Sequence, residues 1–157
     1  MAGDIFAKER ASITLTSTGA SLTNGSGGSA GTDLDLRSAG NAAEDFEALF
    51  ELTCQWATIT GVTGGVSIAD LFLVPKLDGT NLAAVDTTSG SSRMPQGSYL
   101  DSFVCAQAPT ANTNMRFVTG KVPLFPALFT AYIINRSGQT ISANWTLKVV
   151  TARVQYT

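Results

Sequence analysis

The 157-residue chain has no histidine. That absence removes every Ser-His-Asp and Cys-His nucleophilic arrangement, every histidine metal site and the commonest general base. Charge is scarce too. Asp, Glu, Lys and Arg together make up 14% of the residues, about half the usual share, and the formal net charge is −2. The ten basic residues, scattered from Lys8 to Arg153, form no stripe that could neutralise a run of phosphates, so no nucleic-acid partner is expected. Cysteine is limited to Cys54 and Cys105, too few for a disulfide scaffold and not spaced as a zinc site. Both fall among apolar neighbours, the setting of small buried hydrophobes; a Cys54–Cys105 bridge across paired strands is the alternative reading. No apolar run approaches membrane-spanning length, and the opening "MAGDIFAKER" lacks a charged-then-apolar leader pattern. A protein made and kept in a cytoplasm, without a membrane partner, is expected, and the sequons at Asn24, Asn135 and Asn144 then read as chance.

Site motifs are missing as well. There is no G-x-S-x-G elbow, no P-loop and no dinucleotide fingerprint; Gly25, Gly27, Gly28 and Gly31 sit in a Ser-rich stretch. Glu47 with Glu51, or Asp33 with Asp35, could supply a glycosidase's two carboxyl groups, but each pair lies on the polar side of an alternating segment, where solvated or ion-paired charge is expected. Asp70, Asp78 and Asp86 lack calcium-loop spacing. Trp56 and Trp145, the candidates for sugar stacking, sit in apolar phase and are assigned to the core. No catalytic residue, metal or cofactor is expected, and the chain is not expected to be an enzyme.

What the chain does have is alternation. In "DFEALFELTCQW" (Asp45–Trp56) all six even positions are apolar and five of the six odd ones are polar, the period of a half-buried strand. A short helical turn over Asn41–Asp45 is compatible with "NAAED". The same period marks Ser12–Ser17, Thr32–Ser38, Val66–Leu77, Ser98–Gln107, Asn114–Val122, Ala127–Asn135 and Asn144–Tyr156. In the last, Trp145, Leu147 and Val149 share a face, and from Val150 the apolar phase passes to Ala152, Val154 and Tyr156. Such a flip predicts a bulge or a change of strand partner. Gly19–Gly31, Gly61–Gly65, Leu77–Gly97 and "NRSGQ" read as loops, the first and third long enough for surface contacts. About eight strands and no helical period predict an all-β, antiparallel, jelly-roll-like β-sandwich. Residues 1–11 read as an N-terminal arm and 12–157 as one domain.

"DLFLVPKLDGTNLA" (Asp70–Ala83) and "VPLFPALFTAYIINRSGQTISA" (Val122–Ala143) carry a resemblance. With "GSYLDSFVC" (Gly97–Cys105), they resemble a family of small tailed-bacteriophage virion proteins. Its members run an apolar strand into "LVP" and "DGTNY", then a double-proline turn, a long strand and an "N-x-[ST]-G-Q" hairpin. This chain departs by "NL" where an aromatic follows Asn and by "FP" for the double proline. The resemblance spans Phe46 to the C-terminus and rests on turns and strand ends, so it transfers no catalytic residue. It implies a jelly-roll decoration or accessory protein of the virion, assembled in the host cytoplasm. The implied partners are the major capsid protein or other virion proteins; copies of itself, as a dimer or trimer, are expected separately because the strand Ala127–Asn135 is apolar on both faces. A collar, tail or fibre component and a carbohydrate-binding host-recognition module are the alternatives.

"FPALFTAYIINRSGQT" (Phe125–Thr140) raises a packing question. Phe129, Ala131 and Ile133 can fill a sandwich core, whereas Leu128, Tyr132 and Ile134 need a second cover from a loop, a sheet edge or another subunit. These three, with Ile5 and Phe6 of the arm, are the interface candidates. Gly138 is placed for the positive φ of a hairpin at "NRSGQ".

Overall fold

The computed structural model describes residues 5–37, 45–76, 98–124 and 127–156. Within them the chain forms eleven strands and no helix: β1 (Ile5–Glu9), β2 (Ile13–Gly19), β3 (Gly27–Ser29), β4 (Leu34–Asp35), β5 (Asp45–Cys54), β6 (Val66–Pro75), β7 (Ser98–Cys105), β8 (Met115–Val118), β9 (Val122–Pro123), β10 (Leu128–Asn135) and β11 (Trp145–Tyr156). Of the turn expected over Asn41–Asp45, Asp45 begins β5; its residues 41–44, the loop over 77–97 and the Phe125–Pro126 strand entry lie outside the described residues.

Two antiparallel sheets result. One runs β1-β11-β5-β8, with β2 also on β11 and β9 also on β5; the other runs β3-β10-β6-β7, with β4 also on β10. The short strands share edges. β2 pairs along Trp145–Val149 of β11 and β1 along Ala152–Tyr156. β8 and β9 divide one edge of β5, and β3 and β4 one edge of β10. Each sheet is therefore four strand positions wide.

Numbered along the chain, the position held by β2 pairs with that of β11, the β3/β4 position with β10, β5 with the β8/β9 position, and β6 with β7. First pairs with last, second with second-last, and so inward. That nesting is a long hairpin rolled onto itself, the ordering of a jelly roll. The β11–β5 and β10–β6 pairings hold the roll closed.

The two inner faces meet in one core, with Leu15, Phe50, Leu52, Leu147 and Val149 from one sheet and Ile68, Leu71, Phe103, Phe129 and Ile133 from the other. Burying a side chain of this size contributes about 1.5–3 kcal/mol. Trp56 and Trp145 are core residues as expected, 0% and 2% exposed. Their indole N–H groups donate to Ser137 Oγ at 2.9 Å and to the Ala20 carbonyl at 2.7 Å. Cys54 and Cys105 are free buried thiols and form no bridge.

Three differences raise the expected eight strands to eleven. Residues 5–9 pair with β11, Asn114–Val122 divides into β8 and β9, and the Gly-rich stretch read as a loop contains β3. Gly27 of β3 answers a packing need rather than a turn: a Cβ there would overlap the Tyr132 ring and hydroxyl. "NRSGQ" is a second correction. β10 and β11 lie in different sheets, so this turn carries the chain between sheets and closes no hairpin. Its Gly138 does have a positive φ, 80°.

The changes anticipated for β11 occur in its pairing, and the residue left over at the register shift, Phe46, belongs to β5. The partner of β11 changes from β2 to β1, and a register shift separates Ala152 from Arg153. The same shift reverses the start of β5, where Phe46 is 39% exposed and Asp45 is buried. Arg10 meets the buried Asp45, Nε to Oδ1 at 2.8 Å.

Candidate functional site

The interface candidates divide between the two sheets. Ile5 and Phe6 begin β1, opposite Tyr156 and Gln155 in register. Leu128, Tyr132 and Ile134 lie on β10 and are 7%, 1% and 1% exposed. Tyr132 and Ile134 join Phe72 and Val74 of β6 in a second apolar cluster. The second face of β10 is thus already covered in the single chain.

A concave surface lies on the outer face of the six-stranded sheet, built by register. Val150 stands opposite Leu49, Lys148 opposite Glu51, and Glu51 opposite Val118. These side chains line a shallow trough of about 330 Å³, joined by Arg116 on one side and by Glu9 and Ser12 on the other. The trough crosses the strands where the edges are split: β1 gives way to β2 at one end, and β8 to β9 at the other. Edge strands that stop short leave the long central strands β5 and β11 uncovered between them.

Its lining mixes apolar and charged side chains. Val118 is 56% exposed, and Leu49 and Val150 are half-buried. Arg116 Nη2 meets Glu51 Oε2 at 2.8 Å within the trough; in an adjoining hollow Lys121 Nζ meets Glu47 Oε1 at 2.9 Å, and the two basic side chains are 71% and 69% exposed. Exposed pairs of this kind contribute about 0.2–1 kcal/mol. Their charges can therefore re-pair with a partner's at little loss. Glu47 and Glu51 were legible in sequence as the polar side of a strand. Their partners stand 74 and 65 residues away, beyond any local pattern. Leu49 did leave a signal, as the single apolar odd position of "DFEALFELTCQW".

A second constructed region surrounds Asn135, which is fully buried. Its Nδ2 donates to the carbonyls of Leu22 at 2.8 Å and Gln139 at 2.6 Å, while Oδ1 accepts from Ser137 N at 2.9 Å and Oγ at 2.7 Å. Ser137 Oγ also receives the Trp56 indole. "N-x-S-G-Q" is therefore an internal clasp, and the sequon amide at Asn135 is consumed inside the protein. Among the thiols, burial pushes Cys54 up to about 12 from an ordinary 9.0, with Cys105 adding to the shift.

No family model and no curated protein matches the chain. Among solved structures, a decameric BFDV capsid protein is similar at 12% identity and a TM-score of 0.32, covering 98% of this chain and 99% of that one. A carbohydrate-binding module from Cellvibrio mixtus lichenase 5A, in complex with cellotriose, has 12% identity and a TM-score of 0.29, covering 93% and 88%. A 60-mer BFDV capsid protein has 15% identity and a TM-score of 0.30, covering 99% and 95%. Likenesses of this strength establish neither kinship nor a role.

Proposed function

We propose that the chain is a non-catalytic structural protein of a tailed-bacteriophage particle, most concretely a head decoration protein that bridges neighbouring capsomers. The observation that carries this reading is the trough: Leu49, Val118 and Val150, drawn from three strands, lie among charged side chains that include the exposed, weakly held Arg116–Glu51 pair. Interfaces commonly combine apolar area with polar and charged groups in this way. The low charge of the chain suits a surface covered by neighbours, and the virion-family resemblance supplies the setting. In this reading the partners are the major capsid protein and further copies of the chain, and the protein resides in the virion after assembly in the host cytoplasm.

Copy number in purified particles tests the proposal. Hundreds of copies are expected; a handful to a few dozen would move the protein to a collar, tail or fibre position. Val118→Glu and Leu49→Arg place charge in the trough without touching the core. Both variants should fold with near-native unfolding midpoints yet fail to enter particles. Normal incorporation of both would remove the trough from the interface.

A further inference from the structure

On the outer face of the five-stranded sheet, β6 and β7 each carry a register shift, and the two act on one spot. One lies between Ser67 and Ala69 of β6, opposite Val104 and Phe103; the other lies between Leu71 and Phe72, opposite Asp101 and Tyr99. Residues three apart in a regular strand point to opposite faces. Each shift inserts a residue and returns such a pair to one face. Ser67 thereby reaches Asp70, Oγ to Oδ1 at 3.4 Å, and Tyr99 reaches Ser102, hydroxyl to hydroxyl at 2.8 Å.

Asp70 and Ser102 are themselves cross-strand partners, with Ser102 Oγ donating to Asp70 Oδ1 at 2.8 Å. Arg136, just beyond β10, donates from Nε to Asp70 Oδ2 at 2.7 Å. The result is a fixed line, Tyr99–Ser102–Asp70–Arg136, on an outer sheet face. Tyr99 is 55% exposed as a residue, and its ring is held edge-on by Phe72, with centroids 5.6 Å apart and planes at 70°. Val104 is 53% exposed and belongs to the same strand. The terminal nitrogens of Arg136 make no hydrogen bond among the described residues.

We propose that this constellation is a saccharide-binding subsite. The Tyr99 ring carries the apolar face of a sugar ring, and Ser67, Ser102, Asp70 and Arg136 bond its hydroxyls. An aromatic face next to fixed donors and acceptors matches a ring with C–H faces and hydroxyl edges. A protein partner is the less suitable occupant. Protein hot spots place apolar anchors centrally within a polar surround, whereas here Tyr99 stands at one end of the polar line. Neither tryptophan can serve, since both are buried. The inference goes beyond the decoration role and does not rest on it, because particle copy number and sugar binding are read independently.

The test applies the purified full chain to an array of bacterial-surface polysaccharides and gluco-, galacto- and manno-oligosaccharides, beside Tyr99→Phe, Tyr99→Ala and Arg136→Ala. The wild type is expected to bind at least one saccharide. Tyr99→Phe, which keeps the ring, should stay within about threefold of it, whereas Tyr99→Ala and Arg136→Ala should weaken binding about tenfold or more. The bound saccharide, titrated into isotope-labelled wild type, should also shift the amide resonances of Tyr99, Ser102 and Asp70, a readout that needs no variant to fold. A wild type that binds none of the saccharides, or resonance shifts that fall elsewhere, would overturn the proposal. So would loss of particle incorporation in Tyr99→Ala without any saccharide bound, which would make the face a protein contact.

Discussion

Cys54 faces Cys105 inside the sandwich, and burial there has a measurable consequence. An unfolded chain releases this proton near 9.0, the folded chain only near 12. Between those pH values the native state holds the extra proton. The contribution to stability is therefore complete below about pH 9 and is lost as pH rises towards 12, by up to about 1.4 kcal/mol per pH unit. Denaturant unfolding across that window should show a steeper decline for the wild type than for Cys54→Ala, and equal slopes would contradict the assignment. Asn135 offers a second test at this scale. Asn135→Asp keeps the shape but replaces two donated bonds with a carboxylate facing the Leu22 and Gln139 carbonyls. A loss of about 3 kcal/mol or more is expected by chemical denaturation.

Single elements are set by packing as much as by pattern. β3 pairs with β10 and carries glycine at position 27 because Tyr132 of β10 lies over it, leaving no room for a side chain. Gly27→Ala should therefore cost about 1–3 kcal/mol through overpacking; a neutral result would mean that Tyr132 can move aside. The junction between β1 and β2 depends on the Arg10–Asp45 pair, in which the Asp45 side chain is fully buried. Removing one partner strands a buried charge, so Arg10→Ala should cost about 3–5 kcal/mol, measured by thermal or denaturant unfolding. The period-two pattern foretold β2, β5, β6, β7, β10 and β11 closely. It could not foretell β3, whose glycines carry no hydrophobic signal, or the division of β8 from β9, which falls at Thr119–Lys121 where β5 changes partner.

For the whole molecule, the second apolar face of β10 is covered within one chain, which shifts the reason for self-association to the trough. Sedimentation at micromolar concentration is expected to show a dimer or trimer that Val118→Glu weakens; a clean monomer would count against it. The trough itself was only partly legible. Leu49 and the alternating glutamates stand in one short stretch, but Val118, Val150, Arg116 and Lys148 reach them through pairings that span most of the chain.

The sequence by itself determined the class of fold, because alternation at period two and the lack of a helical period leave an antiparallel sandwich as the way to bury these apolar faces. It also determined the tryptophans and cysteines as core and the positive φ at Gly138. Only the tertiary structure decided which strands share an edge, where "NRSGQ" leads, and which side chains meet on the outer faces. Those outcomes depend on register between distant segments and on bulges that shift a side chain's face by one residue. A single strand's pattern records its own phase, not its partner's.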